Sequence, residues 1–337
     1  MHFFVTGHTG FKGSWLTLLL RHKGHDVSGY SLDPEPHSLF EKANVAQELK
    51  WDYRSDIRNR KEFESALKTA APDILIHMAA QPLVREGYRD PMTTFETNVN
   101  GTLNVLQASA TCESVKAQVI ITTDKVYRNR NQRAGYVEND ELGGDDPYSA
   151  SKAMADILTQ SWIKSFPKIP TAIARAGNVI GGGDVSKDRL FPDLISSFAA
   201  GKPVILRYPK AVRPWQHVLD CVDGYLALVD YLLEGGTDPL WNFGPRSDEF
   251  KEVREVAERV GELWNVNPSW QLDESTQPHE AGLLALDSSK ARSTLNWKDK
   301  FDFEQSVKTT SHWYRDVLNG TQPKDATIRD IKSYLEQ

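Results

Sequence analysis

Cysteine is scarce: Cys112 and Cys221 are the only two in 337 residues. They form neither a metal-ligand spacing nor a disulfide framework, which suits a reducing compartment. Long apolar runs are missing too. The stretch SWLTLLL ends at Arg21, His22 and Lys23, well short of what crosses a bilayer. The opening MHFFVTG has no basic segment and no cleavage site, so no targeting peptide is expected. Positive charge is not in excess, with 40 Lys and Arg against 46 Asp and Glu and a net charge of -6. No basic stripe is evident, and YRNRNQR reads as a solvated loop, which argues against a nucleic-acid partner. Internal repeats and low-complexity tracts are absent. These absences predict a soluble, cytoplasmic protein with no membrane partner.

What is present is a regular alternation. HFFVTG, DVSGYSL, DILIHMAA, AQVIITT and TAIARAG read as short apolar strands. Between them lie helical patterns such as FKGSWLTLLLRHKG and SASKAMADILTQSWIKSF. Continuous rather than alternating apolar strands mean a parallel sheet covered on both faces. The fold class is therefore α/β, a doubly wound parallel sheet of the Rossmann kind, followed by a smaller and partly discontinuous C-terminal α/β domain. The expected division is 1–176 with a return segment around 215–240 for the first unit, and 177–214 with 241–337 for the second. The Gly- and Asp-rich GNVIGGGDVSKDRLFPD looks like a long functional loop.

The first strand runs into TGHTGFKG, which spaces Gly7, Gly10 and Gly13 three apart and opens a helix. Glycines there allow a tight turn and close backbone approach to a pyrophosphate, and the helix N-terminus supplies partial positive charge. This spacing resembles that of the extended short-chain dehydrogenases. On that resemblance Thr9, Phe11 and Lys12 join the phosphate turn, and Asp56 and Ile57 of SDIRN face an adenine. Ala79, Ala80 and Gln81, after the strand DILIH, and Thr122 lie beneath the nicotinamide ribose. Ile57 reads equally as core packing. At the end of the second strand stand Ser31 and then Asp33, which can reach the ribose hydroxyls of NAD. Lys12 offers the alternative of meeting the 2'-phosphate of NADP. NAD is the cofactor expected.

Two further patterns carry chemistry. YSASK puts Tyr148 and Lys152 four apart on one helix face. An ammonium and an oxidised nicotinamide beside the phenol both favour its phenolate, so a depressed pKa is expected for Tyr148. Alone, the pair reads as an aromatic and a lysine on an exposed helix. The second pattern is TTDKV, in which Asp124 and Lys125 stand side by side at the end of a buried strand. Charge is costly there unless paired or used. Thr123 is placed to share a substrate hydroxyl with Tyr148.

Thr123, Asp124, Tyr148 and Lys152 resemble the catalytic set of the nucleotide-sugar 4,6-dehydratases within that family. Lys125, where most of those enzymes carry an acid, is similar to the branch acting on CDP-glucose. HMAAQPLVR, GNVIGGGD, DRLFPD, RPWQHVLD, WNFGP and LDSSKARSTLNW extend the likeness along nearly the whole chain. The resemblance implies oxidation at C4 of a CDP-linked glucose, loss of water across C5 and C6, and return of hydride to C6. Tyr148 would be the first base, Asp124 the acid for the 6-hydroxyl and Lys125 the C5 base, directly or through a water. It also implies deoxysugar biosynthesis of the lipopolysaccharide O-antigen kind, and a homodimer or dimer of dimers.

For the nucleotide-sugar substrate the resemblance points to Asn178, Arg189, Arg213, His217 and Asn242. Arginine suits phosphates because its planar fork binds them bidentately, although a loop arginine is often simply solvated. His217 also reads as structural, Trp215 as core or as a base-stacking ring, and Asn98, which the resemblance sets at the cofactor, as a buried helix-bending amide or part of a proton relay. Alternatives that remain open are another nucleotide-sugar dehydratase, a 4-epimerase that needs no acid-base pair, and a dinucleotide-sensing scaffold. No metal is expected.

Overall fold

The computed structural model describes residues 1–132, 134–275 and 282–337. Seven strands form the main sheet: β1 (His2–Thr6), β2 (Asp26–Ser31), β3 (Trp51–Arg54), β4 (Ile74–His77), β5 (Ala117–Ile121), β6 (Thr171–Ala176) and β7 (Leu240–Phe243). They lie in the order β7-β6-β5-β4-β1-β2-β3, and every pairing is parallel. This is the doubly wound sheet expected from the sequence. The strand order reverses between β1 and β4, so the carboxyl ends of these two strands open a crevice at the switch point.

Alternation along β1 shows how both faces are used. Phe3 and Val5 enter one core with Trp15 and Leu19 of α1 (Phe11–His22). Phe4 points the other way, to Phe63 of α2 (Arg60–Ala70) and Leu106 of α3 (Gly101–Thr111), as the two-residue period of a strand requires. Behind the catalytic motif runs α4 (Pro147–Ser165), whose first turn is capped by Asp146 accepting from Ser149 N at 3.0 Å. The helix before α3 contains a π-turn at Glu96–Asn100, a local widening that often marks functional sites.

A second core gathers Phe191 and Leu194 of α5 (Leu190–Ala199), Val256 and Val260 of α7 (Val253–Trp264), and Phe303 and Val307 of α8 (Phe303–Leu318). A short parallel pair, Val204–Leu206 with Trp270–Leu272, covers it. Between these units, α6 (Val218–Leu233) packs Val222 and Tyr225 on the main sheet. The returning segment reaches Phe243, because β7 pairs with β6. Trp297, Phe301 and Trp313 join the main core, as do Ile331 and Tyr334 of the last helix, α9 (Pro323–Leu335). Helix α8 therefore belongs to both cores. Among the described residues, no helix is long and apolar enough to cross a membrane.

Candidate active site

One cleft of about 1160 Å³ runs from the crevice above β1 and β4 to the second core. That exceeds the upper range, roughly 1,000 Å³, of a site for one drug-sized ligand. At one end stand the glycine turn, Ser31, Asp33, Asp56 and Ile57; in the middle Thr122 to Lys125, Tyr148 and Lys152; at the other end Asn178, Arg189 and Arg213.

The turn is built for close approach. Gly7 has φ +75°, and a Cβ there would lie 2.8 Å from Ala79 N. A Cβ on Gly13 would meet Gly7 O at 2.2 Å, so neither position accepts alanine without a backbone shift. No side chain caps the start of α1 and its first turn has no acid, which leaves a helix N-terminus open to an anion. Thr9 Oγ1 lies 2.8 Å from Ser31 Oγ and donates to Leu32 O at 3.1 Å, tying the turn to the end of β2. His8 is buried and its Nε2 is 2.8 Å from Asp52 Oδ1, with burial holding its pKa below the ordinary value. Ala79, Ala80 and Gln81 line the wall after β4. Below them His77 bridges Thr6 and Thr102; burial pushes its pKa down to about 3, so its ring is neutral. Ile57 packs in the core with Phe4 and Phe63 and also lines the cleft.

Lys12 does not point towards the ribose end. Its Nζ donates to Tyr225 OH at 3.2 Å, and its charge is felt by Lys152. The side chain therefore lies at the catalytic end, and the alternative role on a 2'-phosphate is not supported. The residues on hand fit NAD: Asp33 lines the cleft past β2, while the glycine turn and bare helix start suit its pyrophosphate.

In the middle of the cleft, Thr123 Oγ1 donates to Asp124 Oδ1 at 2.9 Å, and Thr123 opposes the rise that burial imposes on the pKa of Tyr148. Asp124 is 2% exposed, and its Oδ2 has no partner among the described residues. Burial raises its pKa against the opposing pull of Lys125, Thr123 and Arg213, so this carboxyl holds its proton more tightly than a solvated one. Gly177 leaves room for it, since a Cβ there would stand 3.1 Å from Asp124 Oδ2 and 2.7 Å from Pro214 Cγ. Lys125 lines the cleft without closing an ion pair on Asp124.

The phenol of Tyr148 differs from expectation. Burial pushes its pKa up to about 12, outweighing Thr123 and Arg189. The protein's own groups thus hold Tyr148 protonated, and its use as a base requires a further positive charge beside it. Lys152 is buried, donates to Ile121 O at 2.7 Å, and has its pKa lowered by burial and then by Lys12 to about 7. Four residues on, Asp156 accepts Arg175 bidentately at 2.8 Å and 2.8 Å and Thr122 Oγ1 at 3.1 Å. This buried pair braces β5, β6 and α4 directly behind the catalytic residues.

Three sequence expectations are corrected. His217 is wholly buried between Trp15 and Phe301, with its Nδ1 accepting from Leu219 N; it caps α6 and is not a cleft residue. Asn242 is wholly buried as well, accepting from Tyr127 OH at 2.7 Å and donating to Tyr136 O at 2.8 Å; it joins β7 to Tyr127 and Tyr136. Asn98 lies behind the wall, accepting from Gln81 N and donating to Gln81 O and Ser151 Oγ. It supports Gln81 and α4 rather than reaching a cofactor. Trp215 is 5% exposed and packs in the second core, with one edge on the cleft.

Sequence reasoning missed several neighbours. The Asp156–Arg175 pair had one local signal, the four-residue step from Lys152. Tyr225, and the contacts among Arg85, Asp188 and Arg207 in the cleft wall, had none, because their partners are remote in sequence.

Residues 3–244 match the family described as NAD dependent epimerase/dehydratase. The chain is 41% identical to the CDP-glucose 4,6-dehydratase of Salmonella typhimurium, over 98% of this chain and 95% of that one. Its fold is shared with dTDP-glucose 4,6-dehydratase from Streptomyces venezuelae, solved with NAD bound (TM-score 0.82, 23% identity, 96% and 100% of the two chains). The UDP-glucose-4-epimerase of Stenotrophomonas maltophila also shares it (TM-score 0.84, 20% identity, 95% and 100%). The chain belongs to the NAD dependent epimerase/dehydratase family.

Proposed function

We propose that this protein is a nucleotide-sugar 4,6-dehydratase that converts CDP-glucose to CDP-4-keto-6-deoxyglucose and water. The observation that carries this reading is Asp124: a buried carboxyl whose pKa burial raises, with one oxygen unpartnered among the described residues, beside Thr123 and Tyr148. A 4-epimerase has no use for an acid there, whereas elimination of a hydroxyl needs one.

NAD, held at the open start of α1 and by Asp33, would supply a hydride acceptor for C4 and the donor for C6, so it would not be consumed. Tyr148, sharing the 4-hydroxyl with Thr123, removes its proton; Lys152 and the positive charge brought to the cleft stabilise the phenolate. The 4-ketone acidifies the C5 hydrogen, which Lys125 removes directly or through a water and gives back to C5 when C6 is reduced. Asp124 gives its proton to the departing 6-hydroxyl. Arg213 and Arg189, at the far side of the cleft from the glycine turn, hold the diphosphate, and Asn178 adds a neutral hydrogen bond. The open start of α1 and Asp33 hold the dinucleotide, with Asp56 and Ile57 at its base.

A homodimer through α3 and α4 completes the proposal. Leu103, Met154 and Ile157 on these helices are exposed apolar side chains, which a symmetric helix-on-helix contact would cover. Incubation with a panel of sugar nucleotides, followed by the alkali-induced absorbance of a 4-keto sugar, tests the reaction. Signal with CDP-glucose is the expected result; epimerised sugar without that absorbance would replace the reading by a 4-epimerase.

A further inference from the structure

The wall of the cleft beyond the catalytic centre holds an ion-pair triad. Asp188 Oδ1 takes Arg207 Nη1 at 2.7 Å and Arg85 Nη1 at 3.3 Å. Arg207 Nη2 also reaches the Asp188 carbonyl at 3.4 Å. The shortest guanidinium contact of each arginine falls on the same carboxylate oxygen, Oδ1. Asp188 has φ +58°, a conformation that a short polar side chain tolerates better than most. All three residues line the cleft.

Their place along the cleft suggests what they meet, on the reading that its substrate is a nucleotide sugar. Arg189 and Arg213 stand next to the chemistry, because both exert their charge on catalytic groups, Arg189 on Tyr148 and Arg213 on Asp124. A diphosphate between them puts the nucleoside further out, where Leu190, Leu206, Trp215 and Val253 supply apolar walls. Asp188 directly precedes Arg189, and Arg207 directly follows Leu206. An apolar pocket with a few fixed polar groups is what holds a base and chooses among bases.

We propose that Asp188, oriented by Arg207 and Arg85, selects cytosine over uracil and thymine in the substrate. Cytosine carries a 4-amino donor, and a carboxylate accepts from it. Uracil and thymine carry a carbonyl oxygen at the same place, which would face the carboxylate as an unpaired acceptor. Asp188 touches the base in this arrangement, and the two arginines are positioning residues. Rejection of the wrong base comes from the same oxygen that binds the right one.

The test is the affinity of the NAD-loaded enzyme for CDP and for UDP, by calorimetry, in the parent protein and two variants. An amide can donate to a carbonyl, so Asp188→Asn should reduce the CDP preference by about 10-fold or more, with UDP binding improved or unchanged. Arg207→Lys keeps the charge but loses the two-point hold, so it should lower the preference by a smaller factor and leave NAD affinity alone. An unchanged CDP-to-UDP ratio in the folded Asp188→Asn variant overturns the proposal. So does a parent protein that makes 4-keto product yet does not distinguish CDP from UDP, a result that leaves the dehydratase reading standing. Absence of 4-keto product from every sugar nucleotide, with CDP still preferred and that preference lost in Asp188→Asn, would instead fault the reaction and uphold the base selection.

Discussion

Replacing Asp124 by Asn changes almost nothing except its acidity. The side chain keeps its volume, and its remaining oxygen can still accept from Thr123 Oγ1, now 2.9 Å from Oδ1. The atom altered is Oδ2, which is buried without a partner among the described residues, so folding loses no hydrogen bond and the thermal midpoint should hold or rise. Catalysis loses a proton donor at the 6-hydroxyl. Removing a general acid costs about 10²- to 10⁴-fold, equivalent to ~3–5 kcal/mol of barrier. Because Tyr148 and Thr123 are untouched, oxidation at C4 should continue. In a single turnover with CDP-glucose, reduced cofactor should accumulate and decay slowly, while C5 hydrogen still exchanges with heavy water through Lys125. The sign with pH follows from burial: the raised pKa of Asp124 keeps it protonated at low pH, so parent turnover should fall as pH rises through that value. The Asp124→Asn variant should lack this limb. Formation of 6-deoxy product at the parent rate would refute the role given to Asp124.

Lys125→Met should give the complementary pattern, with reduced cofactor building up but exchange at C5 nearly abolished; exchange at the parent rate would remove Lys125 as the base. Tyr148→Phe should cut turnover by about 10²-fold or more with CDP-glucose affinity retained, and near-normal turnover would contradict its role. Arg213→Lys should weaken substrate binding in a calorimetric titration, because the planar fork is lost although the charge stays. Asp220, on α6, is buried, accepts from Lys300 N at 2.7 Å, and has its pKa pushed up by burial to about 7 from 3.8. A raised carboxyl pKa means stability fully present below the unfolded value and lost as pH rises through the folded one. The thermal midpoint should therefore decline between about pH 4 and 7, and Asp220→Asn should flatten that decline.

How much of this could be read from the chain depends on how local each feature is. The glycine turn, YSASK and TDK each place their residues within one turn or strand end, so spacing alone puts them on a shared surface. The parallel sheet was legible because strands such as Ile74–His77 carry an unbroken apolar run, Ile74 to Ile76, and are buried on both faces. His217 and Asn242 look like ligands in sequence, yet what decides their role is packing against Phe301 and Tyr127 from distant segments. Lys12 sits in the phosphate turn, but Tyr225, more than 200 residues away, sets its direction. The pKa of Tyr148 was misjudged for a related reason. Opposing charges can be anticipated from motifs, whereas desolvation depends on everything that closes over the ring.

The reaction turns on where the hydrogen from C4 goes. CDP-glucose carrying deuterium at C4, incubated with the enzyme and NAD, should yield a 4-keto-6-deoxy sugar nucleotide with deuterium at C6 and no net gain of reduced cofactor. Deuterium returned to C4 of an epimerised sugar, or recovered in free reduced cofactor, would contradict it.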